Sequence, residues 1–534
     1  MADCTAQEQL MLELVNRARM NPAAEAARFG IALNQGLASG AISSAPKQVL
    51  AMNDLLVIAA DSHSNWMVVN DQFTHQESAS FPSGRTGTTF SSRMTAAGYG
   101  PITTAAENIA FVGQSGAINA TTAIIGEHKG LFLSAGHRVN MLNDTFREVG
   151  IGQHVGLFRE DGTTYNASLV TQNFALGETK FFITGVLYND TRTNDNFFTV
   201  GEQLAGRVVD GPGVSDTTGA GGGYELAFLA PGAQTIDFHV SPGVDIQVVV
   251  NLGTSNVKVD VVNGREIWTN ASLTLTGGAV TEIHALGIQS IALTGSAGSE
   301  KLFGNAGRNT LLGGDGNDRL DGGTGADRLL GQAGSDSYYV DHTRDVVDET
   351  GGDGTDTVYS SLTFSLGDPR DATGDVENLR LTGKANINAL GNALNNVLAG
   401  NAAANRLLGR SGDDLLSGGA GHDVLSGSTG ADRFDFSAAV TAANSDRIVD
   451  FSHADDTIRL QNSVMKALGP EGALSAAYFY KGARAHDGND HIIYHRASGN
   501  VFYDKDGTGA QAQVLLVTLT NRPADLAFDD FVVI

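Results

Sequence analysis

The sequence predicts a multidomain α+β protein with a mixed α and β region first, a β-sandwich next and a coil of parallel strands in its C-terminal half. Three observations support this. The first residues show a capped helical pattern, the central residues alternate between apolar and polar side chains, and the last part repeats every nine residues. We expect a first domain at 1–177, a β-sandwich at 178–275, a linker with a first repeat array at 276–343, a β spacer at 344–390, a second array at 391–435 and a β cap at 436–534.

The charge and the cysteine content restrict the classes of function that the protein can have. The 534 residues hold 59 acidic and 34 basic side chains, a formal charge of −25. We therefore expect no nucleic-acid partner, since such proteins need a basic footprint. Cys4 is the only cysteine, which excludes an intramolecular disulfide, and the sequence contains no run of eighteen apolar residues that would predict a transmembrane segment. The start lacks the basic and apolar segments of a Sec signal peptide, so we expect any export signal elsewhere.

The N-terminal region reads as helices followed by strands. Thr5 and Glu8 form a capping-box pattern ahead of an apolar helical face, and the Asn-Pro pair at 21–22 predicts the end of that helix. Further helices are predicted at 55–69 and 121–133, and a closing strand at 170–174.

The central region reads as short strands. Val257, Val259 and Val261 alternate with polar residues, as the apolar residues of 236–240 do. This pattern predicts a β-sandwich, and the segment resembles the prealbumin-like sandwiches of bacterial surface proteins.

The strongest signal is the nine-residue repeat. One array runs from Gly295 to Tyr339 and a second from Gly391 to Asp435. Glycines at the first, second and fourth positions predict tight turns, and an apolar eighth residue predicts a narrow core. The eighth residues are Leu302, Leu311, Leu320, Leu329, Tyr338, Leu398, Leu407, Leu416, Leu425 and Phe434.

The turns of this repeat have the ligands that calcium prefers. Stacking brings the sixth-position carboxylates into register beside exposed glycine carbonyls, and oxygen donors of these two kinds suit a hard cation. The predicted calcium ligands are Asp318, Asp327, Asp336, Asp414, Asp423 and Asp432, with the backbone of Gly313, Gly316, Gly322, Gly325, Gly418, Gly421, Gly427 and Gly430.

The nonapeptide resembles the calcium-binding repeat of RTX proteins, a parallel β-roll. Glu300, Asn309, Asn396 and Asn405 depart from it at the sixth position, and we expect those turns to bind weakly or to cap the stack. Because the core is thin, metal binding should supply much of the folding free energy. Extracellular calcium modules work at roughly 10⁻⁴ to 10⁻³ M, so we expect the coil to fold outside the cell.

The C-terminal region resembles that of serralysin-type RTX proteins. The matching stretches are SDRIVDFSHADDTIRL, IIYHRASGNVFYDKDGTG and the ending DDFVVI. The resemblance implies an uncleaved signal read by a type I secretion apparatus, and hence an extracellular protein, free or associated with the cell surface. The sequence has no His-Glu-x-x-His motif, so we do not expect a serralysin-type zinc protease.

The N-terminal region resembles the bacterial form of the CAP superfamily (cysteine-rich secretory proteins, antigen 5, pathogenesis-related 1). The matching stretches are LELVNRARMNPAA, HSNWMVVNDQFTH, AENIA, HKGLFLSAGHRVNML, REVGIGQ and VTQNF. The resemblance implies an α/β/α sandwich with a cleft of histidines and acids.

Carried over by motif, the cleft residues are His63, Glu107 and His137, with Glu127 as the candidate second acid and His75 at the rim. Two imidazoles and two carboxylates can hold zinc with a water or exchange protons as acid and base. They can equally form a polar network that fixes strands to helices. The sequence leaves both interpretations open.

Three hypotheses follow for an exported calcium-binding protein. In the preferred one, the CAP-like domain binds an extracellular lipid, peptide or surface ligand without turnover. In the second, His63, Glu107, Glu127 and His137 form a metal-assisted hydrolase. In the third, calcium-dependent assembly at the cell surface or in a matrix is itself the function.

Overall fold

The computed structural model describes residues 4–77 and 89–534 and divides into two compact units. The first comprises residues 1–296 with 304–307, and the second comprises residues 297–303 with 308–534. Within the described residues, no helix is both long and apolar enough to cross a membrane.

The first unit begins with an α/β domain. Its helices are α1 Ala6–Met20, α2 Pro22–Arg28, α3 Asp54–Asn70, α4 Phe90–Ala96, α5 Ala120–Leu133 and α6 Ala135–Met141. Its strands are β1 Ala51–Met52, β2 Thr104–Gln114, β3 Glu148–Glu160 and β4 Thr163–Leu176, in the order β1-β3-β4-β2. The capping box of Thr5 and Glu8 is present, and the predicted helices and closing strand are confirmed.

Helix α3 lies directly on the sheet because two glycines of β3 leave room for it. A Cβ on Gly150 would lie 2.0 Å from the backbone carbon of Leu56, and one on Gly152 would lie 2.2 Å from the backbone nitrogen of Asp61. The Ser64 hydroxyl donates to the Gly152 carbonyl at 2.8 Å, which fixes the helix along the strand. This close approach sets the position of His63, the residue before Ser64.

Two sheets follow in the same unit, as the predicted sandwich requires. Their strands are β5 Phe181–Tyr188, β6 Val208–Gly211, β7 Val214–Thr217, β8 Gly223–Phe228, β9 Gly232–Ser241, β10 Val244–Leu252, β11 Val257–Val262, β12 Glu266–Thr269, β13 Leu273–Gly277, β14 Glu282–Ala285 and β15 Ala292–Thr294. One sheet has the order β8-β5-β11-β12-β14 and the other β15-β13-β10-β9-β6-β7. The expected boundary at 275 falls inside β13, and strands continue to Thr294.

The second unit is a coil of short parallel strands. They are β16 Lys301–Phe303, β17 Thr310–Asp315, β18 Arg319–Asp321, β19 Arg328–Ala333, β20 Ser337–Val340, β21 Val346–Glu349, β22 Thr357–Ser360, β23 Phe364–Ser365, β24 Ala372–Gly374, β25 Asn378–Leu381, β26 Asn388–Leu390, β27 Val397–Ala399, β28 Arg406–Ser411, β29 Leu415–Ser417, β30 Val424–Thr429, β31 Arg433–Phe436, β32 Asp446–Ile448 and β33 Thr457–Leu460. The parallel ladder β16-β18-β20-β22-β25-β27-β29-β31-β33 is continuous. Residues 344–390, expected to be a spacer, therefore lie within the coil.

The eighth residues of the repeats form the interior of this coil. Leu302 pairs with Leu320 and Leu320 with Tyr338 along one wall, and Leu311 pairs with Leu329 along the other. All ten predicted eighth-position side chains are fully buried. The predicted narrow core is confirmed.

The C-terminal cap ends the coil with less regular structure. Its strands are β34 Gly472–Ala473, β35 Phe479–Lys481, β36 Ile492–His495, β37 Asn500–Tyr503, β38 Val514–Leu519 and β39 Phe531–Val533, with 3₁₀ helices at Lys466–Leu468, Ala476–Tyr478 and Phe528–Asp530. The last strand joins the coil ladder, since Phe531 pairs in parallel with Ile458.

Candidate functional site

The sixth-position aspartates of the coil are held at one oxygen by the backbone. In each regular unit, the Oδ1 atom accepts the N–H of the residue one full turn earlier, 18 positions back in the sequence, at distances between 2.7 and 3.0 Å. This repeated contact aligns the carboxylates along the edge of the coil. The carboxylates that make it are Asp318, Asp327, Asp336, Asp414, Asp423 and Asp432.

The second oxygen of these carboxylates is buried and lacks a hydrogen-bond partner within the described part of the chain. This holds for Oδ2 of Asp318, Asp327, Asp336, Asp414 and Asp423. Each Oδ2 lies over the first glycine of its own unit, where a Cβ would come within 2.0–2.5 Å of it. A buried oxygen without a partner is costly, so this position calls for a cation.

The fourth-position glycines allow the turns to stack closely. Gly334 has φ +122°, and a Cβ there would lie 1.9 Å from the Gly316 carbonyl oxygen. Side chains are thus excluded from the turn edge, which leaves carbonyl and carboxylate oxygens as its polar surface.

Burial and mutual repulsion affect the ionisation of these groups. Burial, together with the smaller effect of neighbouring carboxylates, raises the pKa of Asp318, Asp327, Asp414 and Asp423 to about 7. The pKa values of Asp336 and Asp432 are also raised, mainly by burial. Carboxylate and carbonyl oxygens are the ligands that calcium prefers, and its charge would offset the repulsion between these carboxylates.

Sequence reasoning missed four aspartates of the same ladder. Asp345, Asp356, Asp446 and Asp456 accept the N–H of the aspartate one turn earlier, at distances of 2.7–3.0 Å. They lie outside the regular nine-residue units, and for all of them except Asp345 the spacing exceeds 18 residues. An aspartate two residues before an apolar strand residue is the signal that could have identified them.

The asparagine-containing turns differ from the aspartate turns. The Asn405 amide donates to the Ile387 carbonyl at 2.7 Å and its oxygen accepts the Asn401 N–H at 2.9 Å. Asn396 likewise donates to the Glu377 carbonyl at 3.1 Å. In these two turns the asparagine side chains thus find hydrogen-bond partners within the chain.

The second candidate site is the cleft of the α/β domain. His63 on α3 is fully buried, with Nδ1 3.0 Å from Glu77 Oε1 and Nε2 3.0 Å from the Thr74 carbonyl. Its ring stacks on Trp66 with centroids 5.9 Å apart.

Glu107 on β2 is the centre of the cleft network. Its carboxylate accepts from His75 Nδ1 at 2.9 Å and from the buried guanidinium of Arg93, and it lies 3.9 Å from His63 Nε2. When the Asn173 side-chain amide is oriented so that both its oxygen and its nitrogen have hydrogen-bond partners, its nitrogen donates to Glu107 Oε2 at 3.1 Å. Arg93 also lies 3.7 Å from Glu77, so one buried cation serves both acids.

The structure brings only some of the predicted cleft residues together. His137 on α6 lies beside the network, and burial and then the charge of His75 lower its pKa. Glu127 packs next to Ser168 and Gln153, and burial raises its pKa to about 8. Ser168 and Asn173 are five residues apart on β4, so Glu127 and Glu107 lie on opposite faces of the sheet. The acid that contacts His63 is Glu77, which the sequence analysis did not single out.

This arrangement does not present a ready zinc site. Both ring nitrogens of His63 face oxygen acceptors, and Arg93 already neutralises Glu107. A zinc ion would have to displace these contacts. The geometry fits a polar network with His75, 49% exposed, at its solvent edge.

Two family models match the regions that contain these two candidate sites, the repeat coil and the α/β domain. Residues 12–161 match the model described as Cysteine-rich secretory protein family. The RTX calcium-binding nonapeptide repeat matches at 294–329, 313–341, 390–425 and 399–434. A comparison with curated proteins gives no match.

Two solved structures are similar to parts of the chain. One is an extracellular protein containing a SCP domain from Bacillus anthracis, 27% identical, which covers 24% of this chain and 34% of that chain with a TM-score of 0.17. The other is the extracellular lipase LipA from Serratia marcescens, 16% identical, covering 46% of this chain and 40% of that chain with a TM-score of 0.14. This chain thus spans well under half the length of either.

Proposed function

We propose, for a chain that joins a CAP domain to RTX calcium-binding repeats, that it is an exported protein whose coil folds on calcium outside the cell and whose CAP domain binds an extracellular ligand without turnover. Repeats of this kind are typical of proteins exported by type I secretion. In this proposal the C-terminal region carries the export signal and the secretion apparatus is a transient partner.

One observation supports the calcium part of the proposal above all others. Buried Oδ2 atoms without partners recur at five sixth-position aspartates, each over a glycine that leaves space beside it. Ionised carboxylates in such a row repel one another, and the coil has only a narrow apolar core to oppose that repulsion. Calcium binding would therefore favour the folded coil, as binding to the native state alone always does.

Hydrogen exchange of the full chain, followed by mass spectrometry, tests this. We expect peptides from 308–460 to be protected in 10 mM calcium and to exchange rapidly in chelator, while peptides from 104–176 exchange alike in both. Both tryptophans, Trp66 and Trp268, lie in the first unit, so their fluorescence gives an independent check that this unit stays folded. Equal protection of the coil with and without calcium would contradict the proposal.

For the CAP domain, the internally satisfied network favours binding over hydrolysis. Glu107 and His63 already have their hydrogen-bond partners, and His75 and His137 remain as the groups at the cleft edge. Such an edge can recognise a ligand by hydrogen bonds while the buried acids hold it in place.

A zinc titration of the calcium-saturated full chain separates this from the hydrolase hypothesis. We expect the heat of zinc binding not to depend on the cleft histidines. Wild type, the His75→Ala/His137→Ala double variant and a His239→Ala control should therefore give the same titration. His239 is half-buried and lies between Asp210 and Asp245, far along the sequence from the cleft. Tight zinc binding lost only in the double variant would overturn the proposal and favour a metal-assisted hydrolase.

A further inference from the structure

The coil turn that follows the first repeat array is longer than the regular turns. Regular ladder aspartates are 18 residues apart, as Asp318 and Asp336 are, but the N–H of Asp336 is bonded to Asp356, 20 residues further on. The longer turn places Glu349, at the end of β21, just ahead of the glycine pair 351–352.

Glu349 lies close to two aspartates of the ladder. Asp336, Glu349 and Asp356 each offer an oxygen within 4.8 Å of the others. Both carboxylate oxygens of Glu349 and the Oδ2 of Asp336 are buried without a hydrogen-bond partner among the described residues. All three residues are at most 3% exposed.

The Tyr338 hydroxyl lies in the same space. A Cβ on Gly331 would lie 2.0 Å from Asp336 Oδ2, 2.0 Å from the Tyr338 hydroxyl and 2.6 Å from Glu349 Oε1. The two oxygens that share the 2.0 Å distance are therefore no more than 4.0 Å apart. The hydroxyl is buried and lacks a partner within the part of the chain that the structure describes.

This group differs from the other clusters of potential metal ligands. The other groups of three donors in the described residues, such as His486 with Asp487 and Asp490, are at least partly exposed. The regular turns bring one buried oxygen of a single aspartate over each first glycine. At the longer turn, three buried carboxylates converge, and calcium affinity rises with the number of charged ligands.

We propose that Asp336, Glu349 and Asp356 form a three-carboxylate calcium site at which the coil binds its first and tightest cation. The inference rests on the proposed calcium-dependent coil and adds an order to it: this site fills before the regular turns. A cation there would link the starts of β20 and β22, which follow Asp336 and Asp356 and pair in parallel.

Terbium chloride is a suitable probe because a tyrosine beside a bound lanthanide sensitises its emission. We expect the first equivalent of terbium added to the calcium-free full chain to give tyrosine-sensitised emission. Tyr338→Phe should retain that binding step and lose most of the emission. Emission from the first equivalent that is unchanged in Tyr338→Phe would place the first cation elsewhere and overturn the proposal.

Calcium competition with a chromophoric chelator then measures the first binding step in Glu349→Gln. The matched control is Asp353→Asn, which removes one charge from the same turn at an exposed position. We expect Glu349→Gln to weaken the first step by at least about tenfold and Asp353→Asn to leave it within about twofold. Because glutamine is similar in size and neutral, hydrogen exchange in saturating calcium should show a folded coil in both variants.

The outcomes separate this inference from the proposed function. An unchanged first step in Glu349→Gln, with a coil that still folds on calcium, would overturn the three-carboxylate site and leave the proposed function standing. A wild-type chain that binds no calcium would overturn both.

Discussion

Replacing Asp414 by asparagine should have opposite effects with and without calcium. Asp414 is fully buried, its Oδ1 accepts the Asn396 N–H at 2.7 Å and its Oδ2 lacks a partner among the described atoms. Asparagine keeps the shape and the accepting oxygen but removes the charge. Asp413→Asn is the matched control, because this neighbour is exposed and carries the same charge.

The size of the effect in calcium follows from linkage. A site that binds only the folded coil with a Kd of roughly 10⁻⁴ M contributes about 2.7 kcal/mol at 10 mM calcium, which is 100 times that Kd. We expect Asp414→Asn to lower the free energy of unfolding in 10 mM calcium by most of this amount. In chelator at pH 8 the sign reverses, because burial raises the pKa of Asp414 to about 7 and its ionised form opposes folding. Removing that charge should stabilise the calcium-free coil by about 1–2 kcal/mol, since solvent at the turn screens part of the penalty.

Urea unfolding of the full chain in 10 mM calcium, followed by far-ultraviolet circular dichroism, measures the first effect. Hydrogen exchange of coil peptides in chelator at pH 8 measures the second. Equal loss of stability in Asp413→Asn and Asp414→Asn would show that net charge rather than ligation matters. Faster exchange of Asp414→Asn than wild type in chelator would refute the argument from the buried charge.

Three further predictions test other parts of the structure. Burial raises the pKa of Asp423 to about 7 in the folded coil, so the folded coil binds more protons than the unfolded chain. In chelator, we therefore expect coil peptides to gain protection from hydrogen exchange as the pH falls from 7 to about 4. A loss of protection over this range would contradict the argument. Gly334→Ala should disrupt the coil even in calcium, because the new Cβ would lie 1.9 Å from the Gly316 carbonyl oxygen, and circular dichroism should show the loss. The control Gly130→Ala has open space around its Cβ and should leave the circular dichroism unchanged. Arg93→Met should lower the free energy of unfolding of the first unit by about 3 kcal/mol, because it leaves the charge of Glu107 unpaired. Urea unfolding followed by tryptophan fluorescence measures this loss, and adding Glu107→Gln should recover part of it.

The regular part of the coil could be predicted from the sequence because each turn repeats the same chemistry. Leu320 and Asp318 occupy the positions that the nine-residue count gives them. The count fails at Glu349, where two extra residues lengthen a turn while the parallel ladder continues through it. A period read from sequence detects equal spacing, whereas the coil needs only that successive strands stay in register.

The cleft was less accessible to sequence reasoning. His63 and Glu107 follow from their motifs, and both lie in one network. Nearness to His137 in sequence favours Glu127, but the alternation of side chains along β4 decides which face of the sheet Glu127 meets. Glu77 lies in a loop, where no periodic pattern marks it.

Two networks of buried acids in the first unit differ from the aspartates of the coil. In the first unit, Arg93 neutralises Glu107, and Lys258 lies 2.8 Å from Glu13 and also contacts Asp260. In these two networks the positive charge comes from arginine and lysine of the same unit. In the coil, buried carboxylates such as Asp414 face glycine and one another, and the required positive charge must come from outside. We therefore expect a change in calcium concentration to alter the coil and to leave the α/β domain folded.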